Sequence, residues 1–500
     1  ILIVELLDFV VRQTDKYIDS IPREERKKYG QFFTSNETAI FMANLFDIPE
    51  NKTTLCILDT GAGTGILSAA LIQRLQGISS LQKIKLVCYE NDGQVVDVLK
   101  QNLNWIREHS VIQVDYEIRE SNYILEQENE YNCTLESDFN PLKYDMVIGN
   151  PPYMKVGRNA PEAKAMPDVC YGAPNLYFLF TTMGVFNLYP EGELVYIVPR
   201  SWTSGAYFKK FRKKIFSISV LSHIHLFVSR NKVFDRENVL QETIIIKIKK
   251  TIQRPKHVTI TTTQNNNDFS RQTIFKAPYD IVVSGEDVYI YLVTNEDDIA
   301  ILEQVNKLSY TLPSIGLKMK TGLTVDFRHK DELRDEKEKD AVPLFYSQHI
   351  QSGKILFPIG KVKEYIVTDK TSLLQTNSNY LFVKRFTTKE EYRRLQCGVY
   401  LSKDFPCYEK ISTQNKINFI SGRTELSEYL VYGLYVLFNS TLYDRYYRIL
   451  NGSTQVNSTE INSIPIPSRE VIEQLGDKII KQQDMSEMAC DNILTEIFHE

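Results

Sequence analysis

The sequence predicts a doubly wound α/β domain followed by a second domain of mixed α+β class. Three observations carry that reading. Between about residues 55 and 250, short apolar runs alternate with helical stretches, the pattern of a parallel sheet covered on both faces. The first of these strands runs into a glycine-rich turn, "DTGAGTG", and then a helix. Beyond residue 300 the helix and strand signals mix without that repeating unit. A chain of 500 residues also exceeds one ordinary core, so two or three domains are expected.

In chain order, "ILIVELLDFVVRQ" is apolar but carries Glu5 and Asp8, with no basic leader or small-residue cleavage site. It reads as a helix and not a signal peptide. In "KKYGQFFTSNETAIFMANLF", Thr34 or Ser35 suits the cap of a helix that opens with Glu37. Strands are expected at 55–60, 84–90, 116–120, 144–150, 193–199, 221–227 and 242–250, with "ILSAALIQRL" and "GQVVDVLKQNLNWIREH" as helices between them. The α/β domain is thus expected over residues 1–250. Residues 251–300, Thr/Asn-rich, read as a hairpin or connector, and 301–500 as the second domain, ending in a helix. There, "LKMKTGLTVDF" and "KILFPIG" look like strands, and "TTKEEYRRLQ" and "EYLVYGLYVLFNSTLYDRYYRIL" like helices.

Composition excludes several classes. No stretch approaches the ~18–20 uninterrupted apolar residues of a membrane-spanning helix, so no membrane role is expected. The seven cysteines are scattered, with no C-x-x-C pair, which argues for reduced thiols in a cytoplasm and against a metal site. The net charge of −4 is no sign of a nucleic-acid binder, but where the positive charge sits matters more than its sum.

The glycine-rich turn is the first candidate site. Asp59 ends the strand, and Gly61, Gly63 and Gly65 let the backbone approach a ligand at a helix N-terminus. Such a turn alone could equally bind a dinucleotide. Two details favour another ligand. An acidic residue before the glycines suits an ammonium group or ordered water, not a pyrophosphate. Glu90, followed by Asn91, ends the second strand, where a carboxylate can accept both ribose hydroxyls. Together they fit S-adenosyl-L-methionine. The third strand end, "RESNYIL", offers Asn122 and Tyr123 beside the adenine, and the segment Gly30–Thr34 would wrap over the methionine end.

"IGNPPYM" at 148–154 is the second. In an open α/β sheet, ligands sit at the carboxyl ends of strands near the reversal of strand order. Asn150 ends the fourth strand, which should neighbour the first. An exocyclic base amine or an amide nitrogen is a poor nucleophile because its lone pair is delocalised. Acceptance of its two hydrogens, by the Asn150 side-chain carbonyl and the Pro151 backbone carbonyl, frees that pair. Pro151 and Pro152 stiffen the acceptors. Tyr153 offers a ring on which a planar substrate can stack. No strong base is required.

These residues resemble the DNA N6-adenine methyltransferases of the gamma group, and most of all the BsuBI/PstI-type enzymes of restriction–modification systems. The resemblance spans almost the whole chain: "YGQFFTS", "LDTGAGTG", "YEND", "GNPPY", "NKVF", "FVKRFTTKEEYRRL" and "FNSTLYDRYYRILNGSTQVNSTEINSIPIP" occur in that family's order. It implies a Rossmann-like class I methyltransferase sheet of seven strands, the last antiparallel, plus a C-terminal target-recognition domain. It implies that Asn150, Pro151, Pro152 and Tyr153 form the catalytic motif, with Phe234 as a second aromatic holding a flipped adenine. Thr34, Asp59, Gly61, Gly63 and Glu90 would hold S-adenosyl-L-methionine. The departure is at the third strand, where the family has Asp-Phe and this chain Asn122-Tyr123; Asn can still contact the cofactor adenine's amine through its carbonyl.

The resemblance further implies double-stranded DNA as partner, a monomer on DNA, and a cognate restriction endonuclease as a separate chain. Candidate phosphate contacts are Lys384, Arg385, Lys389, Arg393, Arg394 and Lys410, with Lys209, Lys210, Arg212, Lys213 and Lys214 in the first domain. "NGSTQVNSTEIN" (451–462) offers short amides and hydroxyls suited to base edges. Two alternatives stay open: methylation of another planar amine, on RNA or a protein glutamine, and a DNA-specificity subunit with a vestigial catalytic domain.

Overall fold

A computed structural model describes residues 5–22, 33–133, 143–227, 243–388, 391–451 and 454–499. They divide into two compact units, Ile1–Thr203 with Tyr207–Thr294, and Ser204–Ala206 with Asn295–Glu500.

The first unit is built on a nine-stranded sheet. In chain order its strands are β1 (Thr54–Asp59), β2 (Lys83–Tyr89), β3 (Gln113–Arg119), β4 (Tyr144–Gly149), β5 (Leu188–Pro199), β6 (Val220–Phe227), β7 (Thr243–Lys249), β8 (His257–Thr263) and β9 (Thr273–Pro278). The spatial order is β3-β2-β1-β4-β5-β7-β6-β8-β9. From β3 through β5 all neighbours are parallel, and β7 runs antiparallel to both β5 and β6. This is the Rossmann-like class I methyltransferase sheet that the resemblance implies. β4 is buried at every residue, as a central strand covered on both faces must be. Helices α1 (Leu6–Ser20), α2 (Asn36–Asn44), α3 (Ile66–Leu75) and α4 (Gly93–His109) form in the first half of this unit, and α5 (Leu176–Phe186) precedes β5. The last two of that first set match the sequence expectation to the residue.

The boundary differs from the expected one. Of the two readings of residues 251–300 the hairpin forms, and it belongs to the first unit: β8 pairs in parallel with β6, and β9 returns antiparallel beside it, so the compact unit runs to 294. Threonines conceal this strand in the composition, yet they favour a pleated surface. Thr261 Oγ1 bonds His223 Nε2 (2.9 Å) and His225 Nδ1 (2.7 Å), and Thr263 Oγ1 bonds His225 Nε2 (3.0 Å). Burial pulls the two imidazoles down to about 4 and about 3, so both are neutral partners at neutral pH.

The second unit contains a six-stranded and a five-stranded sheet with helices that include α6 (Glu428–Phe438), α7 (Thr441–Leu450) and α8 (Arg469–Gln482). Three expectations change here. The helix expected over 428–450 is two helices, because Ser440 caps the second by accepting from Tyr443 N (3.3 Å). The helix expected over 387–396 is not formed among the described residues. Its amides go elsewhere: Arg394 N and Leu395 N both donate to Asp444 Oδ1 (2.7 and 3.1 Å). Of "KILFPIG", Lys354–Ile355 pairs as a strand, while Ile359 N and Gly360 N donate to the buried Glu364 carboxylate.

Among the described residues no helix is long and apolar enough to cross a membrane, and no cluster of His, Cys, Asp and Glu could hold a metal.

α6 and α8 cross at backbone contact. A Cβ on Gly433 would lie 1.8 Å from Ile472 O, and one on Gly476 1.8 Å from Tyr429 O. Gly→Ala inside a helix ordinarily stabilises by about 1 kcal/mol. Here the sign should reverse. We expect Gly433→Ala and Gly476→Ala each to cost roughly 1–3 kcal/mol or more through overpacking, read as a lowered urea midpoint of unfolding.

Candidate active site

The register of β1 and β4 brings the two sequence motifs together. Asp59 pairs with Ile148, so the turn after β1 and the corner after β4 leave the sheet side by side, at the reversal of strand order. Gly149 makes the fit possible: a Cβ there would lie 2.7 Å from Thr60 Oγ1 and 2.9 Å from the Tyr196 ring. Thr60 Oγ1 and Tyr196 OH are themselves hydrogen-bonded at 2.6 Å.

A cavity of about 340 Å³ opens at this point. Its lining includes Gly61, Gly63, Glu90, Asn91, Asn122, Tyr123, Asn150 and Pro152, eight of the residues singled out from sequence. Gly63 and Gly65 take left-handed backbone angles (φ +55° and +91°), as the turn into α3 requires. Glu90 locks that turn. Its Oε2 accepts from Gly63 N at 2.9 Å and its Oε1 from Asp92 N at 3.0 Å. Burial raises the Glu90 carboxyl, and the backbone N–H groups of Asp92 and Gly63 oppose the shift.

Asn150 is held at both ends of its amide. Its Nδ2 donates to Thr34 Oγ1 at 3.3 Å, and its Oδ1 accepts from the Tyr153 hydroxyl at 2.9 Å. The Tyr153 hydroxyl also lies 3.2 Å from Ile197 O, and its ring is 4% exposed. Thr34 is buried next to Ser35, the cap of α2, whose Oγ accepts from Thr38 N. Neither Thr34 nor Tyr153 lines the cavity; they stand behind Asn150. Asp59 lies behind the turn as well, fully buried, accepting from Ser68 Oγ at 2.7 Å. Its Oδ1 has no hydrogen-bond partner among the described residues. Burial pushes this carboxyl up to about 7. Phe234 lies outside the described residues.

Asn122 behaves differently from the expectation. Its Oδ1 caps a short helix, accepting from Ile124 N (3.1 Å) and Leu125 N (3.2 Å), and its Nδ2 donates to Glu162 Oε1 (2.8 Å). The Tyr123 ring packs against Tyr89 and Phe180, with its hydroxyl on Asn187 Oδ1. Of the segment Gly30–Thr34, Phe33 lines the cavity, and residues 30–32 lie outside the described residues; the sequence did not single out Thr60, Val156, Glu162, Leu176 and Phe180. Of these, Leu176 and Phe180 carried a signal, in the aromatic-rich "NLYFLF" run close behind the N-P-P-Y corner.

The family model described as Eco57I restriction-modification methylase matches residues 74–234. The type II methyltransferase M.PstI of Providencia stuartii is 35% identical over 91% of this chain and 90% of its own length. The type II methyltransferase M.BsuBI of Bacillus subtilis is 32% identical over 95% of both. The chain belongs to this family of type II restriction–modification methyltransferases. Among solved structures, the type IIL restriction-modification enzyme MmeI, in complex with DNA, shares the fold at 12% identity, with a TM-score of 0.54, over 99% of this chain and 74% of the MmeI chain.

The structure also sorts the cations of this methyltransferase. Arg394 is fully buried, bonded to Thr387 Oγ1 and Asn451 Oδ1, and Arg393 pairs with Glu487. Arg212 is buried on the carbonyls of Trp202 and Asp287. These three are structural and cannot serve as phosphate contacts. Lys209 pairs with Asp287 and Lys214 with Asp168, whereas Lys210, Lys213 and Lys410 are exposed; Lys389 lies outside the described residues. In the 451–462 stretch, Asn451 bonds Glu460 and Asn462 bonds both backbone groups of Met319, which ties both amides inside the unit, while Asn457 caps a helix with its Oδ1.

Asp59 sets a pH dependence. A carboxyl whose folded value lies above its unfolded one stabilises the fold below about pH 4, and that stability is lost as pH rises toward 7. The ligand-free protein should therefore lose a few kcal/mol across that window relative to Asp59→Asn, at about 1.4 kcal/mol per unit. Urea denaturation of the two proteins at several pH values reads the difference in slope.

Proposed function

We propose that this methyltransferase transfers a methyl group from S-adenosyl-L-methionine to the N6 amine of an adenine in a specific sequence of double-stranded DNA. The observation that carries the cofactor half is the charge of the cavity. Its lining holds two carboxylates, Glu90 and Glu162, and no Lys, Arg or His among the described residues. Such a site repels the pyrophosphate of a dinucleotide and favours a ligand bearing a sulphonium and an ammonium. Glu90 retains lone pairs for ribose hydroxyls beside the two backbone N–H groups it holds.

The cofactor, when bound, supplies an electrophilic methyl group. The chain's residues do the rest. Asn150 Oδ1 and the Pro151 carbonyl accept the two hydrogens of the target amine, which localises its lone pair on nitrogen. The nitrogen would take the methyl as the methyl–sulphur bond breaks, the sulphonium leaving as a neutral thioether, and one proton of the nitrogen would leave to water. Thr34 and Tyr153 hold the Asn150 amide in place beforehand, which lessens the reorganisation the methyl transfer needs. Stacking of a flipped base on Tyr153, opposite Phe234, requires that the Tyr153 ring be uncovered when DNA binds.

DNA as the substrate is supported by family membership and by the remaining exposed lysines, such as Lys210, Lys213 and Lys410. Target recognition is assigned to the second unit. The chain would act as a monomer, with a cognate endonuclease as a separate protein.

One assay tests the reading. Purified protein is incubated with tritiated methyl donor and, separately, duplex DNA, RNA and a protein extract. Label should enter DNA as N6-methyladenine, and Asn150→Ala should lower the rate about 100- to 1,000-fold, the scale of one lost preorganised partner. Undiminished transfer by Asn150→Ala, or label found in RNA, in protein or on cytosine, would overturn it.

A further inference from the structure

We propose that Glu162 recognises the 6-amino group of the cofactor's adenine, a task the sequence had assigned to Asn122; this rests on the S-adenosyl-L-methionine site proposed above. The argument begins with what one amide can do. Asn122 has a single oxygen, and its lone pairs are taken by Ile124 N and Leu125 N. The group left for the cavity is Nδ2, a donor. An adenine amine is also a donor, so the two would meet with no acceptor between them. An aspartate at this position could have capped the helix with one oxygen and received the amine with the other; an asparagine cannot.

Glu162 resolves the mismatch from another part of the chain. It sits on the short helix Pro161–Ala165, twelve residues past Asn150, and lines the cavity together with Ser121, Asn122 and Tyr123. Its Oε1 accepts Asn122 Nδ2 at 2.8 Å. An ionised carboxylate accepts about four hydrogen bonds and donates none, so after serving Asn122 it still offers acceptor sites to an amine in the cavity. Asn122 is thereby the positioning residue: it fixes the carboxylate, and the carboxylate reads the base edge. A charged acceptor also makes the stronger kind of bond. It should disfavour a 6-oxo purine, whose carbonyl oxygen replaces the amine and faces the carboxylate with a second acceptor.

The test is a binding measurement, independent of methyl transfer. The full chain is titrated calorimetrically with S-adenosylhomocysteine and with its 6-oxo analogue, S-inosylhomocysteine. Wild type should prefer the adenosyl ligand by about tenfold or more, the scale of one charge-assisted hydrogen bond. Glu162→Ala should bring the ratio close to one, chiefly by weakening the adenosyl ligand. Glu162→Gln should also shrink the ratio, by gaining inosyl affinity, because its amide nitrogen can donate to the 6-oxo oxygen. A Glu162→Ala protein that keeps the wild-type ratio overturns the inference. So does one that loses both ligands equally, since the carboxylate would then serve only to hold Asn122. Wild-type protein that binds neither ligand removes the cofactor reading itself, and this inference with it.

Discussion

The register between β1 and β4 is the constraint on which the site depends. Two parallel strands from opposite halves of the doubly wound sheet meet with Asp59 beside Ile148. One residue of slip would turn every side chain of β4 to the opposite face and carry Asn150 away from the glycine-rich turn. Gly149 enforces the closeness, because any larger residue would meet Thr60 and Tyr196. Those two side chains are bonded to each other and so cannot simply retreat. The glycine-rich turn after β1 and the Asn-Pro-Pro-Tyr corner after β4 are thus parts of one packed junction.

From that junction a set of hydrogen bonds preorganises the chemistry. The Asn150 amide has a donor end and an acceptor end, and each is tied: Nδ2 to Thr34, Oδ1 to Tyr153. Thr34 precedes the cap of α2, and that cap, Ser35, also accepts from Asn266 Nδ2 at 3.4 Å in the turn between β8 and β9. The hairpin that extends the sheet past its seventh strand therefore braces the segment that braces Asn150. The stack of Phe41 on Phe269, with ring centroids 4.5 Å apart, adds apolar support to the same contact. This gives the two extra strands a role in the site although they carry none of its chemistry.

The second unit shows why counting cations is a poor guide to a nucleic-acid surface. Arg393 and Arg394 sit in a sequence stretch that reads as an exposed basic helix, yet both are consumed inside the unit. Asp444 takes two backbone amides from the same stretch and pairs with Arg448, so the basic residues hold a loop onto α7. A buried guanidinium must find partners, and one buried as deeply as Arg394 is out of reach of a phosphate. The close crossing of α6 and α8 at Gly433 and Gly476 then fixes the helical layer of this unit.

The sequence by itself determined the parallel α/β class, the strands from β1 to β7, the glycine turn and the proline corner after β4. Each of these is local: apolar alternation, glycine at positive φ and proline after a strand leave their mark within a few residues. Only the tertiary structure decided the rest. The sequence offered residues 251–300 as a hairpin or connector; that β8 joins the main sheet was decided by Thr261 and Thr263, which bond histidines of β6, 38 residues away. The helix expected near residue 390 is absent among the described residues because Asp444, some fifty residues on, takes its amides. Asp59 and Thr34 sit behind the cavity and not on it, and Glu162 enters it, because depth and direction are set by packing between distant segments. Hydrogen bonds between such segments have no period and no spacing in the chain, so they become visible only once the fold has brought their partners together.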